Sequence, residues 1–212
     1  MSGPMRSTKA RLAAAVTAGA LAAGGALALE PGIASAATLV HAKYKVSGST
    51  YLKNPNFTLA LGPGTLAATL NLGTGKLTAN LSVPDATGSF KQFGIIPVTA
   101  TSQFINDGPT TGKLNLRTGA VKTRSKITLR IVSLAVAGVG VPVGSSCETS
   151  TATVVALASQ PKFSILSGGN VAGTYAIPDF SNCGLATALI NLTIPGSGNT
   201  ITLKLGKAKL GK

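Results

Sequence analysis

The chain has no tryptophan, one histidine, two cysteines and five acidic residues among 212, and aromatic residues make up 4% of it. Each scarcity removes a class of function. Enzymes that process sugars usually stack the sugar face on aromatic rings, and single-stranded nucleic acid is held on aromatic platforms interleaved with cations. Outer-membrane barrels carry aromatic girdles at both interfaces. None of these has its raw material here. A Ser-His-acid triad would have to use His41, which alternates onto a polar face with Lys43 and Lys45, and no Gly-x-Ser-x-Gly elbow is present. Metal sites need clustered His, Cys, Asp or Glu, and none occurs. No metal or cofactor is expected.

The acids beyond residue 36 are Asp85, Asp107, Glu148 and Asp179. Asp85 and Asp107 lie in turn sequences, where Asp stabilises the bend. Glu148 and Asp179 flank the cysteines, so a bridge there could bring them near each other, and a glycosidase-type carboxylate pair is the weakest of the functional alternatives.

Residues 1–36 read as a cleavable signal peptide. Arg6, Lys9 and Arg11 form the positive start, Leu12 to Leu29 runs uncharged, Glu30-Pro31-Gly32 breaks any helix, and Ala34-Ser35-Ala36 is a small-x-small cleavage site. Export implies an oxidising compartment, where Cys147 and Cys183 are most simply a disulfide. Residues 37–212 then form a single secreted domain with no integral membrane segment. The apolar stretch from Ile131 to Val143 carries Gly138, Gly140 and Pro142 and reads as a strand followed by a loop. Removing the leader's three cations and one acid takes the net charge from +14 to +12.

The dominant pattern is alternation of period two. Val40, Ala42, Tyr44 and Val46 alternate with His41, Lys43, Lys45 and Ser47; Leu66, Ala68, Leu70 and Leu72 and then Leu77, Ala79, Leu81 and Val83 do the same. Further candidates are Ile96 to Phe104, Val121 to Ile131, Ala152 to Ser159, Val171 to Ile177, Ala188 to Ile194 and Asn199 to Leu205. Strands with one apolar and one polar face belong to antiparallel sheets. The expected fold is all-β: an antiparallel β-sandwich of nine or ten strands, with a β-barrel as the alternative.

An internal echo supplies a register. Leu70-Asn71-Leu72-Gly73-Thr74-Gly75-Lys76-Leu77 recurs as Leu114-Asn115-Leu116-Arg117-Thr118-Gly119-Ala120-Val121. Two-residue Thr-Gly turns would set Leu72 against Leu77, Leu116 against Val121, and Lys113 against Arg124.

The stretches Gly112 to Val121, Cys147-Glu148-Thr149, Tyr175 to Gly184 and Pro195 to Thr200 resemble a group of secreted proteins of high-GC Gram-positive bacteria. The likeness covers the second half of the chain. It implies export into a bacterial envelope setting and carries over no activity and no functional residue.

The positive feature is a cationic run. Lys113, Arg117, Lys122, Arg124, Lys126 and Arg130 fall in a segment without an acid, and alternation puts Lys122, Arg124, Lys126 and Arg130 on one side of one strand. Like charges facing each other across strands are destabilising, and a polyanion would relieve them with release of counterions. The expected role is a secreted, non-catalytic binding or structural protein of the cell envelope, its partner an anionic wall polymer. A carrier of an apolar or lipid ligand between the sheets is the alternative. Nucleic acid is excluded by compartment and by the missing aromatic interleaving.

Overall fold

The computed structural model describes residues 38–211, so the signal-peptide reading of 1–36 lies outside the described residues. In order, these residues form β1 (Leu39–Leu52), β2 (Phe57–Asn71), β3 (Lys76–Ser82), β4 (Ala86–Gln92), β5 (Ile96–Asn106), β6 (Thr110–Leu114), β7 (Val121–Val136), β8 (Val139–Val141), β9 (Glu148–Thr149), β10 (Thr153–Ser159), β11 (Gly169–Ile177), β12 (Phe180–Ser181), a 3-10 turn (Gly184–Ala186), α1 (Thr187–Thr193), β13 (Gly196–Leu205) and β14 (Lys209–Gly211).

Eight strands pair antiparallel in the order β1, β2, β3, β6, β7, β10, β11, β13, and β13 returns to β1. The sheet therefore closes into a barrel. The antiparallel all-β expectation holds, and the barrel alternative is the architecture adopted. β7 makes closure possible. Its first half, from Val121 to Ile127, lies between β6 and β10, while its second half pairs with β5 on one edge and with β9 and β8 on the other. β4 completes the outer edge beside β5.

The two ends of the barrel differ. At the base lie the start of β1 and the β2–β3, β6–β7 and β10–β11 connections, because neighbouring strands reverse direction, and also β14, which continues β13 along β1 in the same direction. The core nearest the base contains Ala42, Tyr44, Val46, Val171, Leu203 and Leu205, with Leu70, Leu114 and Val121 adjoining. At the top, a second core gathers Val98, Ile131, Leu134, Ile177, Phe180 and Ile190 around the Cys147–Cys183 disulfide.

Three details depart from the sequence reading. The echoed turns are wider than two residues: six residues separate the paired positions, Leu70 facing Leu77 and Leu114 facing Val121. Asparagine decides this. Asn71 Oδ1 accepts from the N–H groups of Gly73 and Thr74, the Gly75 N–H donates to the Asn71 carbonyl, and Thr74 Oγ1 accepts from the Lys76 N–H. Asn115 makes the same set with Arg117, Thr118 and Gly119, and Thr118 with Ala120. Such an Asx turn captures the backbone before a tight hairpin can close, and Gly75 and Gly119 supply the left-handed φ of 67° and 73° it requires.

Ala188 to Ile194 is helical, not extended. Ala186, Ile190 and Ile194 are buried and recur every four residues, while Leu192 is 69% exposed. Asn191 clamps this helix to β12, accepting from the Phe180 N–H and donating to the Phe180 carbonyl. Finally, the apolar stretch from Ile131 is a hairpin, β7 returning as β8 through Ala137-Gly138, both at positive φ.

The disulfide closes a loop of 36 residues in sequence. Replacing both cysteines by alanine is expected to lower unfolding free energy by about 3–4 kcal/mol on the chain-entropy estimate, measured by urea denaturation of the two proteins side by side.

Candidate functional site

From Val121 to Ile127 every other residue of β7 points outward. Lys122, Arg124 and Lys126 are exposed, and Val121, Thr123 and Ser125 face the lumen between them. β6 and β3 lie alongside, so Lys122 stands opposite Lys113, and Lys113 opposite Lys76. The six-residue turn moves Lys113 away from the Arg124 partnership that a two-residue turn implied; Arg124 faces Thr111 instead. Three lysines thus form a row across three neighbouring strands, with Arg124, Thr111 and Thr78 forming the next row up. Like charges directly opposed across neighbouring strands are destabilising. A shallow open groove of about 550 Å³ runs between these rows. Gly112 lets β6 close on β7 here, since a Cβ at that position would come within 2.5 Å of the Lys122 carbonyl oxygen.

The remaining sequence candidates are placed differently. Arg117 sits in the β6–β7 turn, exposed at the base. Arg130 is on the same side of β7 but is neutralised: its guanidinium pairs with Glu148, with Nε 2.7 Å from Oε1, and its Nη1 donates to Gln103 Oε1. The expectation of an uncompensated Arg130 is therefore corrected, because β9 brings Glu148 directly opposite it. Asp107 borders the wall at its upper end, with its carboxylate accepting from Thr128 Oγ1 and its N–H donating to the Lys126 carbonyl. Lys76 was missed by sequence reasoning. The echo held the signal, since two like hairpins packed side by side bring the start of β3 beside the end of β6.

Glu148, one member of the carboxylate pair considered above, is engaged by Arg130. His41 is exposed, with Nδ1 3.0 Å from Thr69 Oγ1. Among the described residues no group of three or more His, Cys, Asp or Glu is placed to hold a metal ion, and no helix is long and apolar enough to cross a membrane.

The barrel interior is a second candidate. An apolar cavity of about 90 Å³ near the base is lined by Leu66, Leu70, Leu77, Leu114, Leu157 and Leu205 among others. Phe163 and Ile165, from the β10–β11 connection, also line it, and the Tyr44 hydroxyl donates to the Ile165 carbonyl. Smaller spaces of about 50 and 40 Å³ follow towards the top, sharing Thr50, Phe104, Leu129 and Tyr175. The Thr50 and Tyr175 hydroxyls lie 2.6 Å apart, and Thr50 also donates to the Thr200 carbonyl. Burial pushes both the Tyr44 and Tyr175 phenols up from the usual value, with the Thr50 contact opposing the shift at Tyr175.

No protein-family model, curated protein or solved structure matches the chain.

A phenol whose folded pKa lies above its unfolded value makes the folded state the better proton binder. Its contribution is complete below about pH 10 and is lost as the pH rises further. Stability is therefore expected to fall on the alkaline side, and the fall should be shallower in Tyr175→Phe than in the parent, read from urea unfolding at several pH values between about 9 and 11.

Proposed function

We propose that the protein is a secreted, non-catalytic binding protein of the cell envelope that engages anionic polymers through the outer wall of β3, β6 and β7. One observation carries this reading: Lys76, Lys113 and Lys122 stand side by side with Arg124, with Thr78 and Thr111 as the other polar groups of those two rows and the Asp107 carboxylate only at the upper border of the wall. Folding places these like charges together at a cost, and a ligand bearing repeated phosphate or carboxylate groups converts repulsion into attraction. The groove is open and shallow, which suits a chain lying across the wall better than a small molecule enclosed in a pocket. Serine, histidine and the acids are not gathered into a hydrolytic arrangement there.

A narrower second reading rests on the lumen. The apolar cavities follow one another along the barrel, and an eight-stranded barrel can hold one small ligand. Native mass spectrometry of the purified protein would show an adduct of constant mass that organic extraction removes; a spectrum of bare protein would end this reading.

For the wall, retention on isolated, phosphate-rich wall polymer is expected to fall at least about tenfold between low and moderate salt. Combining Lys76→Gln, Lys113→Gln, Lys122→Gln and Arg124→Gln should abolish most of the retention and flatten its salt dependence. Lys53→Gln with Lys91→Gln, outside the wall, should leave it unchanged. Retention by the fourfold variant equal to that of the parent would refute the proposal.

A further inference from the structure

The base of the barrel combines two surface features. The first is exposed leucine. Leu72 and Leu116 occupy the same position in the two echoed turns and are 42% and 54% exposed, and Leu166 at the tip of the β10–β11 connection is 58% exposed. Leu39 and Leu210 are exposed beside them. Isolated exposed leucines are ordinary. Here, however, they come from successive connections around one rim, and backbone hydrogen bonds tie those connections together: Leu72 N–H to the Thr38 carbonyl, Leu114 N–H to the Gly75 carbonyl, and Ala208 N–H to the Leu166 carbonyl. The rim is held in place at each turn.

The second feature is charge. Arg117 and Lys162 are exposed on two of these connections, Lys207 on the β13–β14 connection and Lys209 at the start of β14. The four acids among the described residues, Asp85, Asp107, Glu148 and Asp179, all belong to the upper strands or to the connections above the base. Among the described residues the base is thus apolar and cationic, with no acidic side chain to repel an anionic surface.

We infer that the base of the barrel docks on an anionic phospholipid bilayer, with Leu72, Leu116 and Leu166 entering the interfacial region and Arg117, Lys162, Lys207 and Lys209 meeting the headgroup phosphates. Aliphatic side chains surrounded by lysine and arginine are the composition that binds such an interface, each feature alone being weak and the two together sufficient. This goes beyond the polymer-binding wall and uses side chains that the wall does not. Docked in this way, the barrel would have the cavity lined by Phe163 and Ile165 at the end nearest the lipid.

The test is co-sedimentation of the purified protein, its N-terminus read by mass spectrometry, with phosphatidylcholine vesicles with and without phosphatidylglycerol at near-physiological salt. Three variants are compared: Leu72→Ser with Leu116→Ser and Leu166→Ser; Arg117→Gln with Lys162→Gln, Lys207→Gln and Lys209→Gln; and the wall substitutions Lys122→Gln with Arg124→Gln. Circular dichroism confirms that each folds. The parent is expected to bind only the anionic vesicles, the leucine and base-cation variants to bind about tenfold or more weakly, and the wall variant to bind like the parent. Absence of vesicle binding by the parent overturns the inference. So does a leucine variant that binds as the parent does. If the leucine variant instead turns a dimeric parent into a monomer while neither binds vesicles, the rim is a contact between copies of this chain and the inference is likewise overturned. Failure of the wall variant on wall polymer, with vesicle binding intact, would separate the two surfaces.

Discussion

The backbone hydrogen-bond ladder along β7 organises the rest of the molecule. This strand meets β6 and then β5 on one edge, and β10, β9 and β8 on the other. Because side chains alternate with a period of two, the register of that ladder decides which residues enter the lumen and which face water. Val121, Thr123 and Ser125 line the interior; Lys122, Arg124 and Lys126 face outward. A slip of one residue would drive three cations into an apolar barrel, so the charges that form the wall also enforce the register that exposes them. Closure through β10 leaves the eight barrel strands without free edges over that height, which removes the usual hazard of exposed sheet edges.

The ladder also makes the molecule polar from end to end. The top is braced by the disulfide, by α1 clamped through Asn191, and by the Arg130–Glu148 pair. It holds acid and base in near contact. The base holds cations and leucines on connections joined to one another by backbone hydrogen bonds. The proposed polymer-binding wall and the inferred lipid-facing rim would be two uses of one asymmetry: a net positive charge concentrated away from the few acids. On these proposals, such a distribution would steer the protein towards anionic surfaces and orient it on arrival.

Much of this was legible in the residues, and the failures have local causes. Alternation identified most of the strands, because a half-buried sheet must present an apolar face to one side. It failed at Ala188 to Ile194, where alternating and every-fourth spacing coincide over a short window and packing beside Cys183 selects the helix. The echo identified two equivalent turns but not their length. Asn71 and Asn115 side chains, competing for backbone N–H groups, lengthened both and shifted Lys113 from Arg124 to Lys122. Arg130 looked uncompensated because Glu148 lies 18 residues away along the chain and reaches it only through β9.

Taken alone, the sequence determined the all-β class, the alternation of faces along β7, the pairing available to two lone cysteines and the excess of cations, since each depends on residue type and near-neighbour spacing. Tertiary structure decided the closure of the sheet, the row of Lys76, Lys113 and Lys122, the neutralisation of Arg130 and the meeting of Leu72, Leu116 and Leu166 on one rim. These features bring together strands and loops far apart in the chain. Their positions follow from which edges pair and in what register, and no local pattern of residues encodes that.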